Sequence, residues 1–292
     1  MGKAASGNGS IELKTTDQIL RMRRAGMVVA SIHQALRETC RPGITTAELD
    51  SVSAAVIARM DAKSNFLGYD GFPATVCISI NEEVIHGIPG NRVLQFGDLV
   101  SFDCGAYIVD RAGRQWHGDA AFSMICGGEE NARREDLELM STTERALWAG
   151  IAALAKARHT GEIGDAVEEV VAQDAEVFGW EAGIVEEYVG HGIGTAMHQP
   201  PDVWNYSTRA KGAKVKPGMV LAIEPMLTAG GALTREKPDG WTVVTVDGSR
   251  AAHFEHTVAV LPGGVWVLTA PDGGRAGLAP FGLSPRAVAP RG

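Results

Sequence analysis

Residues 190–201 read Gly-His-Gly-Ile-Gly-Thr-Ala-Met-His-Gln-Pro-Pro, and this stretch decides how the rest of the chain is interpreted. His191 and His198 are separated by glycines, and two prolines follow the second histidine. Glycine permits positive φ and close backbone approach, whereas proline fixes φ and lacks an N–H donor. The stretch therefore predicts a rigid turn that holds two imidazole rings in place, rather than a continuous helix or strand.

Two other interpretations of this stretch compete with a functional one. A dinucleotide-binding loop would follow the pattern G-x-G-x-x-G, but Thr195 stands where the last glycine is needed. The other is a glycine-rich turn whose histidines are incidental, and the stretch alone does not decide against it. The acidic residues elsewhere in the chain do.

Composition limits the class of protein. The chain has 292 residues, of which 45% are hydrophobic and 21% charged, enough for one large domain or two halves of one. A net charge of −8 argues against a dedicated nucleic-acid binder, so we expect no DNA partner. The four cysteines form no C-x-x-C pair and hence no cysteine zinc site. Without a signal peptide or a long apolar run, we expect a cytoplasmic monomer that has no membrane partner.

Helical and strand patterns alternate without a regular βαβ rhythm, which predicts an α+β fold. Residues 1–10 are rich in Gly, Ser and Ala and predict a flexible segment. Residues 11–270 predict one folded domain, and the Gly/Pro-rich residues 271–292 a flexible tail. Two long predicted helices are each followed by a turn and then by strands ending in His-Gly, at His86 and His191. This echo indicates a weak internal duplication.

Acidic residues stand where the sequence predicts apolar strands. Asp103, Glu224 and Glu255 each stand inside such a run, and Asp119 begins another. A buried carboxylate requires a cation, and these strands contain too few Arg or Lys residues to supply one. With His191 they form an oxygen-rich set with one nitrogen, which suits Mn²⁺, Fe²⁺ or Co²⁺. Five such ligands exceed the need of one ion, so two metals that activate a water for amide or ester hydrolysis are predicted.

The motifs around these acids resemble those of type I methionine aminopeptidases over most of residues 12–270. The resemblance rests on Cys77-Ile-Ser-Ile-Asn-Glu, His86-Gly-Ile-Pro, Gly-His191-Gly-Ile-Gly, Ile-Glu224-Pro and Phe-Glu255-His-Thr, with Asp103 and Asp119 between them. It implies a pita-bread fold of two pseudo-symmetric halves with antiparallel sheets inside and helices outside. It also implies a dimetal hydrolase that removes the initiator methionine from nascent proteins and peptides whose second residue is small, by attack of a metal-bridging water or hydroxide.

The resemblance assigns a role to each predicted ligand. Asp103 would bind one metal, His191 and Glu224 the other, while Asp119 and Glu255 would bridge both. Glu224 would also carry the proton of the attacking water.

Other roles follow from the same resemblance. His86 and His198 would contact the substrate and the tetrahedral intermediate. The methionine side chain would lie among aromatic and sulfur-containing residues, although ordinary core packing explains these equally well: Phe66, Tyr69, Phe72, Cys77, Met197 and Trp241. A Na⁺ or K⁺ ion would lie near Asn81 and Glu83, with a backbone oxygen close to Ala251.

Two features depart from the family. The separation of Asp103 and Asp119 is about five residues longer than usual, which predicts a longer hairpin tip around residues 110–115. Gln199-Pro200-Pro201 replaces the acidic pair that is common after the second histidine, which predicts a changed cleft rim. Neither departure removes a ligand.

Alternative classes have specific signatures. Prolidase and aminopeptidase P carry an additional amino-terminal domain, for which no room precedes Asp103. Type II enzymes carry a sizeable insertion between His198 and Glu224, and a metal-free binding paralogue would have lost ligands. A basic loop predicts transient contact with the ribosome, with an ordinary solvated loop as the alternative: Arg209, Lys211, Lys214 and Lys216.

Overall fold

A computed structural model describes residues 10–288 of the chain. The described part contains two long helical pairs and one short helix near its end: α1 (Thr16–Thr39), α2 (Thr46–Arg59), α3 (Arg134–Leu154), α4 (Gly161–Phe178) and α5 (Arg275–Leu278). Single turns of 3₁₀-helix lie at Tyr69–Gly71, Glu129–Asn131 and Ala279–Phe281.

Local sequence signals explain the first helical pair. Thr15 and Gln18 form a capping box at the start of α1, as do Thr45 and Glu48 at the start of α2. In each, a threonine hydroxyl and a side chain three residues on satisfy free N–H groups of the first turn. Pro42-Gly43 separates the two helices because neither residue favours a helix interior. The helices therefore begin close to the predicted residues.

Fifteen strands accompany these helices within residues 10–288. In the first half they are β1 (Lys63–Ser64), β2 (Cys77–Ile80), β3 (Glu83–Ile85), β4 (Leu99–Val109) and β5 (Gln115–Ile125). In the second half they are β6 (Gly183–Ile184), β7 (Gly190–Gly192), β8 (Gln199–Val203), β9 (Val220–Ile223), β10 (Met226–Thr228), β11 (Thr234–Glu236), β12 (Val243–Thr245), β13 (Ala251–His253), β14 (His256–Leu261) and β15 (Gly264–Val267).

The strand pairs of the described residues are all antiparallel. One sheet has the order β1-β4-β2, with β5 also paired to β4, and another has the order β15-β14-β9-β7-β8. Two smaller sheets have the orders β13-β10-β6 and β11-β12-β3. Helices α1 and α3 pack against these sheets and bury a core that includes Leu36, Phe102 and Leu147. The predicted α+β class is confirmed.

The β4–β5 hairpin is the longest strand pair described. Its register places Asp103 opposite Ala121 and Gly105 opposite Asp119. At the tip, the Asp110 carboxylate accepts hydrogen bonds from the backbone of Ala112 and from the Trp116 indole. The extra residues therefore form an ordered turn at the far end of the hairpin, as predicted, and leave the two acids on paired strands.

The Gly190–Pro201 stretch is only partly a turn. Residues 193–198 have no regular structure, as predicted, but the ends belong to the short strands β7 and β8. The glycines allow close approach: a Cβ at Gly190 would lie 2.4 Å from the oxygen of Ala222, and one at Gly192 would lie 2.2 Å from that of Pro200. The strand predicted to end in His191-Gly192 is present as β7, whereas β8 was not predicted; it pairs with β7 because the glycines let the two backbones meet.

The carboxyl-terminal residues also differ from the prediction. Residues 271–288 contain α5, and Leu278 is fully buried against the core. The Arg23 guanidinium of α1 donates to the backbone oxygens of Leu268, Ala270 and Pro271, which fixes the start of this segment. The expected flexible tail is therefore a packed extension up to residue 288, because tertiary contacts outweigh its Gly/Pro-rich composition. Residues 289–292, and nearly all of the predicted flexible segment 1–10, lie outside the described residues.

Between residues 10 and 288, no helix combines the length and the apolar character needed to cross a bilayer.

Candidate metal centre and substrate pocket

The five predicted metal ligands lie on strands of both halves. Asp103 is on β4 and Asp119 on β5, while His191 is the middle residue of β7. Glu224 directly follows β9 and Glu255 directly precedes β14, and these strands pair His256 with Ile223. The two glutamates therefore leave adjacent strand ends together, facing the acids of the first half.

All five side chains line one cavity between the halves. Ligand atoms of Asp119, His191 and Glu255 lie within 4.8 Å of one another. Nε2 of His191 is 3.5 Å from Oε1 of Glu224. Residues far apart in the sequence thus converge on a volume small enough for shared coordination.

The carboxylates of the cavity are only partly satisfied by hydrogen bonds among the residues described. One buried oxygen remains without a partner on each of four residues: Asp103, Asp119, Glu224 and Glu255. Burial raises the pKa of the Asp103 carboxyl to about 7. Burial and the neighbouring acids raise the pKa of the other three well above the usual carboxyl range. Such a cluster is electrostatically unfavourable unless cations neutralise it.

His191 fits the same cavity as a neutral ligand. Burial lowers the pKa of its imidazole to about 4, so the ring is uncharged near neutral pH. Its Nδ1 lies 3.0 Å from the backbone oxygen of Gly192 and donates to it, which leaves Nε2 free to coordinate. Four carboxylates and one neutral imidazole are a donor set for hard or borderline divalent ions. The residues therefore fit the predicted metals.

His86 and His198 also line this cavity. His86 has a φ of +59°, which is strained for a residue with a side chain and is typical of functional positions. Its ring lies edge-on to two aromatic rings, with centroid separations of 5.7 Å from Tyr188 and 6.4 Å from Trp241. Nδ1 of His198 is 3.0 Å from the Tyr69 hydroxyl. Burial lowers the pKa of His86 to about 3 and that of His198 to about 2, so both rings are neutral at physiological pH.

The residues predicted to bind a methionine side chain form a single cluster. Ala74 and Ile88 belong to this cluster as well. The six predicted residues in it are Phe66, Tyr69, Phe72, Cys77, Met197 and Trp241. The Phe72 and Trp241 rings meet edge-on at 5.1 Å. Phe66 also lines the carboxylate cavity, so the apolar cluster opens directly onto it.

Sequence reasoning missed several residues of the site. Tyr188, Val189 and Ile85 line the same cavity. Tyr188 and Val189 directly precede the Gly190–Gly194 motif, and Ile85 precedes His86, so proximity to the motifs is the one signal that could have indicated them. Apolar and aromatic residues at such positions read as ordinary core, and only the folded geometry distinguishes them.

The predicted monovalent-cation residues already have protein partners. Both Arg92 and Lys237 bind the Glu83 carboxylate, at 3.1 and 2.6 Å. The Asn81 side chain donates to Asp98 and accepts from the backbone N–H of Leu99. Neither side chain is therefore free to take a cation without losing these bonds.

Antiparallel sheets between helical pairs, with a carboxylate and histidine set where the halves meet, define a metal-dependent hydrolase of the pita-bread class. Over residues 20–262 the chain matches the family described as metallopeptidase family M24, and it belongs to that family.

Relatives of known name agree with this assignment. The chain is 40% identical to methionine aminopeptidase 1 of Bacillus subtilis over 88% of its own length and 98% of the relative's. It is 42% identical to methionine aminopeptidase 1 of Mycobacterium tuberculosis, over 90% and 96% of the two chains.

Solved structures support the same fold. The methionine aminopeptidase of Thermotoga maritima superposes with a TM-score of 0.81 at 36% identity, covering 89% of this chain and 99% of that one. The prolidase of Pyrococcus furiosus superposes with a TM-score of 0.65 at 18% identity, and the match spans only 65% of that chain. The pita-bread fold predicted from the motifs is confirmed.

Proposed function

We propose that the chain is a dimetal aminopeptidase that removes the initiator methionine from proteins and peptides whose second residue is small. One observation carries the proposal: four partnerless carboxylate oxygens meet His191 beside an apolar cluster of aromatic and sulfur-containing side chains, of which Phe66 lines the same cavity. Similarity over almost the whole length of methionine aminopeptidases supports methionine as the residue removed.

The five predicted ligands would hold two divalent ions such as Fe²⁺, Mn²⁺ or Co²⁺. Asp103 would hold one ion and His191 with Glu224 the other, while Asp119 and Glu255 would contribute to both. Bound divalent ions lower the pKa of water towards neutrality and polarise a carbonyl oxygen. The remaining chemistry belongs to the chain's own side chains.

Glu224 is the proposed general base. Its buried carboxylate lines the cavity in which the substrate amide would lie, so it could accept a proton from the attacking water and return it to the leaving amine nitrogen. Its neighbour His191 is neutral, with Nε2 3.5 Å from Oε1 of Glu224, so this imidazole adds no charge beside the carboxylate.

His86 and His198 act as neutral hydrogen-bonding groups towards the scissile amide. When the Tyr69 hydroxyl donates to Nδ1 of His198, the ring proton is on Nε2, which can then donate to a developing oxyanion. His86 is positioned by its strained backbone and by the rings of Tyr188 and Trp241.

The apolar cluster beside the cavity would take the methionine side chain. Sulfur interacts favourably with aromatic ring edges, and Phe66, Phe72 and Trp241 supply such edges. A charged or branched first residue would lose this contact, whereas an unbranched thioether fits it.

Two further predicted partners remain less central. Because Glu83 and Asn81 have protein partners, a Na⁺ or K⁺ ion would depend on backbone oxygens such as the one near Ala251. The four cations of the basic loop are exposed. The backbone of residues 211–215 forms hydrogen bonds with the backbone of residues 158–161. The four cations would dock transiently on ribosomal RNA: Arg209, Lys211, Lys214 and Lys216. Unchanged ribosome co-sedimentation after neutralising all four would exclude this contact.

The activity is tested on metal-stripped protein to which Mn²⁺, Fe²⁺ or Co²⁺ is returned. Peptides that begin with Met-Gly, Met-Leu and Ala-Pro are incubated with wild type, Glu224→Ala and the control Glu138→Ala. Glu138 is a carboxylate on α3 that binds Arg134, outside the site. We expect metal-dependent methionine release from Met-Gly alone, lost in Glu224→Ala and kept in Glu138→Ala. Cleavage of Ala-Pro, or no cleavage of any peptide, would overturn the proposal.

A further inference from the structure

The two halves of the molecule meet where β5 approaches the chain between β13 and β14. At this meeting point Ala121 and Glu255 exchange both backbone hydrogen bonds, with N···O distances of 3.3 and 2.9 Å. Such a reciprocal pair is one rung of an antiparallel ladder. The next rungs of that ladder would pair residue 119 with 257 and residue 123 with 253.

Hydroxyl groups take the place of those next rungs. The Thr257 hydroxyl donates to the backbone oxygen of Asp119 at 2.7 Å and accepts from the Asp119 N–H at 2.9 Å. On the other side, the Ser123 hydroxyl donates to the oxygen of His253 at 3.0 Å and accepts from the His253 N–H at 2.9 Å. Each hydroxyl therefore satisfies both backbone groups of one residue on the opposite strand.

The backbone of Thr257 explains why its side chain is needed. Its N–H donates to the hydroxyl of Thr269, and its oxygen accepts from the N–H of Leu268. Because these groups are engaged away from β5, they cannot complete a rung with Asp119, and the strands separate by about the length of a side chain. Both Thr257 and Ser123 are buried, so a missing hydroxyl would leave backbone groups unsatisfied in a dry environment.

We propose that Thr257 is a positioning residue that holds Asp119 at a fixed separation from Glu255 across the two halves. The inference rests on the proposed metal site, because these two carboxylates are the ones assigned to both ions. The mutual repulsion of the two carboxylates would drive the strands apart. The two hydrogen bonds from the Thr257 hydroxyl to the backbone of Asp119 itself oppose that movement. Thr257 thereby tunes metal affinity without touching an ion.

Ser123 provides a matched control within the same junction. Its hydroxyl makes the same pair of backbone bonds, but to His253, which is not among the predicted ligands. It also bonds the hydroxyl of Ser101 at 2.8 Å. Removing either hydroxyl deletes a similar number of buried hydrogen bonds, but only Thr257 acts on a carboxylate of the site.

The test is calorimetric titration of metal-stripped protein with Mn²⁺, alongside thermal unfolding of the same samples without metal. The proteins are wild type, Thr257→Val, Thr257→Ser and Ser123→Ala. We expect Thr257→Val to weaken Mn²⁺ binding by about 10- to 100-fold. Thr257→Ser, which keeps the hydroxyl, should bind like wild type. Ser123→Ala should lose thermal stability as Thr257→Val does, with its Mn²⁺ affinity unchanged.

The outcomes separate this inference from the proposed function. If wild type binds Mn²⁺ and Thr257→Val binds it equally well, or Ser123→Ala is weakened as much as Thr257→Val, the positioning role is wrong while the metal site stands. If wild type binds no Mn²⁺, the metal site itself is wrong and the inference fails with it. Should Thr257→Val not fold, Thr257→Cys replaces it, with an intermediate weakening expected.

Discussion

Two groups of buried carboxylates in this molecule are treated in opposite ways. Asp136 on α3 is fully buried and binds Arg133 at 2.8 Å and Arg250 at 2.6 Å. Asp174 on α4 is buried against Arg145 and the Thr142 hydroxyl. In both cases the chain supplies its own cation, as a buried acid requires for stability.

The carboxylates of the central cavity have no such cation among residues 10–288. Their partnerless oxygens face one another, and their pKa values are raised by burial and by mutual repulsion: Asp103, Asp119, Glu224 and Glu255. The chain thus neutralises Asp136 and Asp174 itself, whereas the four cavity acids weaken the fold unless something external neutralises them. The difference indicates that the second group is kept for ligand binding and not for stability.

The largest expected effect separates the two groups by activity. Glu224→Gln keeps the size of the side chain but removes the proposed base, so kcat/KM on a Met-Gly peptide should fall by about 10²- to 10⁴-fold. Asp136→Asn should stay close to wild type in the same assay. Equal losses in both variants would show that the cavity acids have no special role.

The second effect concerns stability and has the opposite distribution. Asp136→Asn leaves the Arg250 guanidinium, which is 20% exposed, without its carboxylate. Breaking a buried ion pair in this way should lower the free energy of unfolding by about 3 kcal/mol. Urea unfolding at pH 7.5 with a chelator present measures it, and Glu224→Gln should lose none of this stability. A stable Asp136→Asn would contradict the contrast.

Metal removal gives the third effect. A ligand that binds only the folded state stabilises it by about 2.7 kcal/mol at a hundredfold excess over its Kd, or roughly 5–10 °C in Tm for a chain of this size. We expect chelation to lower the Tm of wild type by this amount. In Asp119→Asn, chelation should lower the Tm much less, because the variant lacks one of the two carboxylates proposed to bind both ions. A chelator-insensitive wild type would argue against bound metal.

The smallest effect is a pH dependence in metal-free protein. The folded pKa of Asp103, about 7, lies above its unfolded value, so between these values the folded state binds more protons. The free energy of unfolding contributed by Asp103 is therefore fully present below pH 4 and is lost as the pH rises through 7. Relative to Asp103→Asn, chelated wild type should lose at least about 2.5 kcal/mol between pH 5 and pH 8, because the variant lacks both this titration and the charge that raises the pKa of Asp119, Glu224 and Glu255.

The difference between those two proteins is the quantity to measure by urea unfolding. Buried histidines such as His86, whose pKa is lowered to about 3, give the opposite slope, but they are present in both proteins and cancel. A difference that stays constant from pH 5 to pH 8 would mean that Asp103 is not held in the environment described.

Local patterns predicted much of the fold. Periodicity and capping signals predicted helices from Thr16 to about Thr39 and from Thr46 to about Met60, and the structure has them at Thr16–Thr39 and Thr46–Arg59. The strand predicted to end at Asp103 continues to Val109, because pairing with β5 extends it beyond its apolar core. The packed segment 271–288 was missed since contacts such as those of Arg23 leave no local signal.

The candidate site divides in the same way. The four acids were predicted because a charged residue in an apolar strand is a conflict visible in the sequence. The structure brings all four, together with His191, to one cavity. Tyr188 and Thr257 were not predicted as parts of it. Thr257 acts on a residue 138 positions away, and no periodicity or composition carries information over that distance.

The most direct test of the account is to count and locate the metal ions. Anomalous diffraction from crystals of the Co²⁺-loaded protein would show them independently of activity. We predict two anomalous peaks per chain in the central cavity, both in contact with Asp119 and Glu255, one also with Asp103 and the other with His191. A cavity without peaks, or peaks only at other places, would contradict the claim that these carboxylates are kept unpaired in order to bind two divalent ions.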